Sequence, residues 1–219
     1  VPIRYRNRAE AGRALAGRLA LYAQRSDVVV LALPRGGVPV AFEIARALSA
    51  SLDVFVVRKL GVPGHGELAM GAIASGGIRV LNPDVVAAFG LGERELEMVA
   101  ARELDELRRR EAAYRRDRPP PVVAGRVVIL VDDGLATGAT MRAAIAALRV
   151  MRPARIVVAV PVGARDTVQE IAALSDELVC PLTPAGFAAV GEWYEDFSET
   201  SDEEVRRLLE GRSAEPFTR

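Results

Sequence analysis

The chain has 219 residues with 29 Lys and Arg against 29 Asp and Glu, so no net field exists to drive sequence-independent nucleic-acid binding, and small anions are the expected partners. A hydrophobic content of 50% supplies the core of one α/β domain, spanning 1–219 with an added lobe, rather than two large independent ones. The lone cysteine, Cys180, excludes an internal disulfide framework and a multi-cysteine zinc site, and reads as a spectator in a reducing compartment.

In chain order, the charged start shows no signal peptide before Asn7, and the longest apolar runs fall far short of the roughly 20 residues that span a bilayer. The expectation is a cytoplasmic protein with no membrane partner. Asn7 and Glu10 form a capping-box pattern ahead of Ala11, Leu15, Leu19 and Tyr22, which share one face of an amphipathic helix. An apolar run, Val28 to Leu33, then leads into Pro34-Arg35-Gly36-Gly37-Val38 and a helical pattern over Val40 to Leu48. Two glycines leave amides unshielded at a helix start and Arg35 adds a forked cation, which suits an anion. A tight strand-to-helix turn would use the same glycines, so this signal is weak by itself.

The second run, Val54 to Val57, ends at Arg58 and Lys59, a basic pair that could neutralise an anion or cap a solvated strand end. From Gly61 to Gly77 the chain holds six glycines and almost no bulky residues, which predicts a loop costly to order, a lid that closes on substrate. His65, the only histidine, and Glu67 lie within it as candidates for proton transfer. Between Leu91 and Arg118, Leu96, Ala100, Leu104, Leu107 and Tyr114 recur at helical spacing, with acid-to-base pairs Asp105 with Arg109, Glu106 with Arg110, and Glu111 with Arg115. One long amphipathic helix is predicted, either a lid or dimer surface or a solvated outer helix docked by one stripe. Pro119, Pro120 and Pro121 end it.

The next run carries the most information. Val127 to Val131 is an apolar strand that delivers Asp132 and Asp133 to its carboxyl end, and Gly134 to Thr140 turns at once into the helical pattern Met141 to Val150. Two adjacent carboxylates accept hydrogen bonds from vicinal sugar hydroxyls. Small residues Ala136, Gly138 and Ala139 let phosphate oxygens approach the main chain, with Thr137 and Thr140 adding hydroxyls. One loop would thus grip both ends of a sugar phosphate.

Further runs at Ile156 to Val160 and Glu177 to Cys180 extend the alternation of strands and helices, which means βαβ units and a parallel sheet with ligands at the strands' carboxyl ends. Val160-Pro-Val-Gly163 ends one such strand. Phe187, Trp193 and Tyr194 gather in the C-terminal segment, about 177–200, either to stack on a flat acceptor or to anchor a small lobe, with Glu192, Glu195 and Asp196 among them. Ser201 and Glu204 form a second capping box for a last helix that Gly211 stops, and the residues beyond are expected to fray.

The stretch Val131-Asp-Asp-Gly-Leu-Ala-Thr-Gly-Ala-Thr140 closely resembles the signature of the type I phosphoribosyltransferases, nearest to the adenine and orotate branches. The resemblance implies a doubly wound α/β fold with a small C-terminal hood and a helical insertion at about 91–118. It also implies binding of 5-phosphoribosyl-1-diphosphate (PRPP) and Mg²⁺, and transfer of the phosphoribosyl group to a nitrogen nucleophile with loss of pyrophosphate. In that reading Asp132, Asp133, Lys59 and Arg35 are catalytic. The PRPP set is Arg35, Gly36, Gly37, Arg58, Lys59, Asp132, Asp133, Gly134, Ala136, Thr137, Gly138, Ala139 and Thr140. The metal lies at Asp132 and Asp133, directly or through ribose hydroxyls or water, and the acceptor under Phe187, Trp193 and Tyr194. The peptide before the loop glycine is one that the family can hold strained or cis, and a homodimer is a further implied property. The hypoxanthine-guanine branch carries an acid where this chain has Ala136, so a proton acceptor must come from elsewhere. A catalytically silent PRPP- or nucleotide-binding regulator on the same fold is the alternative.

Overall fold

The computed structural model describes residues 4–116 and 118–211, with only the backbone of Gly66 and Glu67. The expectations for Glu67 as a proton acceptor and for the residues beyond Gly211 therefore lie outside the described residues.

Five strands, β1 (Val28–Ala32), β2 (Ser51–Val54), β6 (Val127–Val131), β7 (Arg155–Ala159) and β8 (Glu177–Val179), form a parallel sheet in the order β2-β1-β6-β7-β8. β1 and β6 are buried along their whole length, because helices cover both faces, and this is why they read as unbroken Val, Ile and Leu rather than as alternating strands. The pleat sends successive side chains to opposite layers. Val28, Val30, Ala32, Ile129 and Val131 join α2 (Gly37–Leu48) and its neighbours in one cluster, whereas Val29, Leu31, Val128 and Leu130 join α5 (Ala139–Val150) in another. Two shorter helices, α3 (Pro83–Ala88) and α6 (Arg165–Leu174), complete the connections.

At the start, Asn7 Oδ1 accepts the Glu10 N–H at 3.0 Å and caps α1 (Arg8–Arg18), while the Glu10 carboxylate turns to the Arg6 N–H instead of closing the box. The predicted long helix is α4 (Glu93–Arg115), with Leu107 and Tyr114 buried in the first cluster and Leu96 and Leu104 packed against it. Its foot is tied to the sheet: Arg115 donates to Asp53 at 2.8 Å, to Glu111 at 2.7 Å and to the Val54 carbonyl at 2.6 Å. Of the expected helix pairs, Glu106 with Arg110 and Glu111 with Arg115 form, but Arg109 turns to Glu106 instead of Asp105. The last helix, α7 (Asp202–Glu210), starts as expected, with Ser201 Oγ accepting the Glu204 N–H at 3.1 Å.

Three expectations are corrected. The run Val54 to Val57 is not one strand: β2 ends at Val54, and the chain crosses at Phe55 and Val56 into a separate antiparallel sheet of β3 (Val57–Val62), β4 (His65–Ala74) and β5 (Ile78–Leu81). Arg58 and Lys59 therefore lie inside β3 and not at the end of a sheet strand. The glycine-rich stretch is likewise mostly strand, turned at Pro63-Gly64, where Gly64 has φ +77°. Leu60, Val62, Met70 and Ile73 bury themselves in the first cluster, so the apolar contacts that glycine counting overlooked offset the cost of ordering. The segment 177–200 is also divided, since Glu177–Val179 is the edge strand of the main sheet and only the residues after Val179 fold back over the site.

Candidate functional site

Parallel strands place ligands at their carboxyl ends, and the two loops singled out in the sequence meet there. The loop after β1 presses on the loop after β6: Leu33 N–H donates to the Val131 carbonyl at 2.8 Å, and a Cβ on Gly37 would stand 2.7 Å from that same oxygen. A Cβ on Gly36 would fall on the Asp133 carboxylate. Only glycine lets the first loop lie this close to the diacid, and this reason is sharper than chain flexibility. The Pro34–Arg35 peptide bond is cis, one residue earlier than the bond before the glycine. Within this loop the Gly37 and Val38 amides bond to Leu33 O and Arg35 O, which leaves the amides of Arg35 and Gly36 as the donors without an acceptor among the described residues.

The diacid is partly buried and electrostatically loaded. Burial and the neighbouring Asp133 charge push the Asp132 carboxyl well above the usual carboxylate range. Burial also raises Asp133, opposed by Arg8, whose Nε donates to Asp133 Oδ2 at 2.8 Å. Asp132 Oδ1 accepts the Asp133 N–H at 2.8 Å, which leaves Asp132 Oδ2 and Asp133 Oδ1 as the carboxylate atoms without a protein donor among the described residues. After the diacid the amides of Ala136 to Thr140 have no acceptor among the described residues, Gly138 opens α5 with φ +70°, and the side chains of Thr137 and Thr140 are exposed. A run of free amides at a helix start is an anion cradle, and Gly138 is required both by its dihedral and because a Cβ would meet Thr167 Cγ2 at 2.6 Å.

The cations are arranged differently from expectation. Arg58 is held by Glu103 of α4 at 2.9 and 2.6 Å, so its charge is already matched. Lys59 is exposed, without an ion pair among the described residues, and lines a cleft of about 490 Å³ between the small sheet and α5, together with Asn82, Thr140 and Arg142. Arg35 reaches away from the diacid to Glu199 and stands 3.8 Å from Asp202.

Tyr194 corrects the expected acceptor set. It is 4% exposed, its hydroxyl donates to the Asp133 carbonyl at 2.7 Å, and its ring packs on Tyr5 and Phe197, so it braces the diacid loop and offers no face for a base to stack on. Phe187 and Trp193 pack in the same apolar cluster and stay partly exposed. Val190 sits on Gly134, where a Cβ would be 2.5 Å from its Cγ1. His65 leans on Phe89 with ring centroids 5.4 Å apart, on the hairpin and away from the diacid loop's contacts. Cys180 donates to Leu182 O at 3.3 Å and burial pushes its thiol up to about 11, which fits a spectator.

Sequence reasoning missed Arg8. Its guanidinium bonds Asp133, donates to Ser198 O at 2.7 Å and lies 3.9 Å over the Phe197 ring, so it ties both ends of the chain to the diacid. No local pattern marks it, because its partners are 125 and 190 residues away.

The comparisons with known proteins bear on this geometry. The family model described as the phosphoribosyl transferase domain matches residues 4–195. The chain belongs to this phosphoribosyl transferase family. A curated relative named "Putative phosphoribosyl transferase Rv0571c", from Mycobacterium tuberculosis (strain H37Rv), is 50% identical over 204 residues, 93% of this chain and 46% of the relative. The chain therefore spans about half the length of that curated relative. The crystal structure of TT1426 from Thermus thermophilus superposes with a TM-score of 0.86 at 46% identity, covering 97% of this chain and 100% of that one. The α/β fold with its central five-stranded parallel sheet is thus the fold of a phosphoribosyl transferase domain. Among the described residues no helix is long and apolar enough to cross a membrane.

Proposed function

We propose that this domain transfers the 5-phosphoribosyl group of PRPP to a nitrogen nucleophile of nucleobase type, with release of pyrophosphate. The observation that carries the reading is the contact of two loops at the sheet's carboxyl end: a diacid, a run of free amides behind it, and a glycine pair pressed against the diacid. The amides and hydroxyls from Thr137 to Thr140 fit a 5-phosphate. The free oxygens Asp132 Oδ2 and Asp133 Oδ1 fit the vicinal hydroxyls of the ribose. The Arg35 and Gly36 amides and the Lys59 ammonium face the diphosphate.

Breaking the C1–O bond builds positive charge on the sugar ring, as in glycoside cleavage, and the two carboxylates beneath it favour that charge. Arg8 opposes the rise that burial gives the Asp133 carboxyl. Two oxygens from adjacent carboxylates suit Mg²⁺, which takes few protein ligands and completes its shell with substrate oxygens and water, and it would supply charge neutralisation on the departing diphosphate.

The test is pyrophosphate release from PRPP and Mg²⁺ with a panel of purines, pyrimidines and other nitrogen nucleophiles. Product with one of them names the acceptor, and Asp132→Asn with Asp133→Asn abolishes the release. Turnover retained in that double variant overturns the reading. PRPP binding without turnover on any acceptor assigns the domain instead to regulation.

A further inference from the structure

We propose that Arg8 is a positioning residue for the sugar: with Tyr194 and Ser198 it holds the Asp133 carboxylate turned toward the vicinal hydroxyls, and so sets a preference for ribose 5-phosphate over 2-deoxyribose 5-phosphate. The inference rests on the sugar-phosphate reading given above and adds to it a residue from outside both ligand loops.

Asp133 is gripped at three points. Its N–H donates to Asp132 Oδ1 at 2.8 Å, its carbonyl accepts the Tyr194 hydroxyl at 2.7 Å, and its Oδ2 accepts Arg8 Nε at 2.8 Å. The third grip is the one that orients the carboxylate. A Cβ on Gly36 would fall on Asp133 Oδ2 and stand 3.3 Å from Arg8 Nε, so oxygen, glycine and guanidinium meet at one point. Oδ2 is enclosed there, and Oδ1 is the atom left for a hydroxyl. Neighbouring carboxylates repel whenever both are charged, and rotation about χ1 would let an untethered Asp133 turn away from Asp132.

Arg8 is itself fixed. Its Nη1 donates to Ser198 O at 2.7 Å, and its guanidinium carbon lies 3.9 Å from the centroid of the Phe197 ring, so two contacts besides Asp133 hold the fork. The Arg8 and Asp133 side chains are only 11% and 16% exposed, which spares the pair the solvent screening of a surface ion pair. Helix formation gives no reason for an arginine at this position. Arg8 opens α1, where the helix dipole disfavours a cation, and Asn7 already supplies the cap.

Tyr194 and Ser198 reach Asp133 and Arg8 from one strap. Tyr5 N–H donates to Trp193 O at 2.9 Å, Glu195 N–H to Tyr5 O at 2.8 Å and Asp196 N–H to Arg6 O at 2.9 Å, which pairs the segment before α1 with the segment 193–196. The Tyr194 ring packs on Tyr5 and Phe197, with centroids 5.9 and 5.1 Å away. The strap therefore sets both the backbone and the carboxylate of Asp133, and Tyr194 and Phe197 serve the sugar through it.

Calorimetric titration with ribose 5-phosphate and with 2-deoxyribose 5-phosphate tests this on the full chain, on Arg8→Met and on Arg8→Lys. Methionine keeps the apolar contact with Phe197 and removes the donors, whereas lysine keeps the charge but cannot reach Asp133 and Ser198 O in one fork. Thermal unfolding checks that each variant is folded. The unaltered chain is expected to favour ribose 5-phosphate by roughly tenfold or more, the worth of a hydrogen bond to a charged group. In Arg8→Met that ratio should fall to about one while 2-deoxyribose 5-phosphate binds as before, and Arg8→Lys should lie between. A residue that only staples the fold would lower the melting temperature and leave the ratio alone, so a ratio kept in Arg8→Met overturns the proposal. A ratio kept in full by Arg8→Lys overturns it too, in favour of simple charge compensation, and the lysine variant decides alone if Arg8→Met does not fold. Failure of the sugar-phosphate reading shows separately, because the unaltered chain would then bind neither compound, or both equally, and the proposal would fall with it.

Discussion

The turn from β6 into α5 and the stretch from Gly61 to Gly77 are both rich in glycine and both stand beside the site, yet they use glycine for opposite ends. In the first, the small residues keep five amides bare, and Gly36 and Gly37 of the facing loop let it touch the diacid, so the glycines serve a ligand. In the second they serve the fold. Gly71 lies so close to Val80 in the neighbouring strand that a Cβ would meet its carbonyl, and the ladder of β3, β4 and β5 depends on that approach. Glycine density in a sequence marks close approach or unusual dihedrals, and mobility is only one of its readings.

The strongest challenge to this contrast is Gly36→Ala. The added methyl displaces the Asp133 carboxylate from its place against the loop, and a shift of about 1 Å at a positioned group costs about a hundredfold. PRPP affinity in calorimetry should fall by that order, while thermal unfolding changes little. Unchanged affinity would mean that the loop contact has no part in binding.

Gly71→Ala should do the reverse. Forcing a methyl against the Val80 carbonyl costs about 1–3 kcal/mol of stability, with the melting temperature falling about 2–4 °C for each kcal/mol in a chain of this size. PRPP affinity per folded molecule should stay as it was. If instead affinity and turnover move together with no change in melting, the stretch acts as a lid after all.

The diacid should reveal a cost that the hairpin lacks. Burial raises both carboxyls, Asp132 the more, so the folded protein binds these protons more tightly than the unfolded chain. The sign follows: stability is greatest below the unfolded value of about 4 and is lost as pH rises through the raised folded value. Asp132→Asn removes that loss, so its melting temperature should match the parent at pH 3 and exceed it at pH 8, with activity gone. A variant less stable than the parent at pH 8 would show that the charged diacid is not under strain in the ligand-free fold. Smallest of all is Gly64→Ala at the hairpin tip, where a Cβ meets nothing within 4 Å and only the positive φ opposes it, at about 1 kcal/mol in urea unfolding.

Much of the site was legible because it is local. Asp132, Asp133 and the Thr137–Thr140 turn form one continuous stretch, and an apolar strand running into acids and small residues announces its own geometry. Gly36 and Gly37 were legible as a loop, but their contact with the end of β6 and its diacid was not, since it joins segments about a hundred residues apart. Tyr194 was misread for a related reason: an aromatic near a site looks like a stacking surface until its hydroxyl is found on the Asp133 carbonyl. Arg58 and Arg35 looked like free cations because charge is visible in a sequence and its partner is not; Glu103 and Glu199 hold them.

The sequence by itself determined the α/β alternation, the strand that carries the diacid and the long helix from Glu93, because hydrophobic period and small-residue turns act over a few neighbouring residues. Only the tertiary structure decided that the glycine-rich stretch is a sheet, that Arg8 holds Asp133, and that the segments at Tyr5 and Tyr194 pair beside the diacid. Those outcomes depend on burial and ion pairing between distant segments, and such energies exist only once the chain has closed on itself.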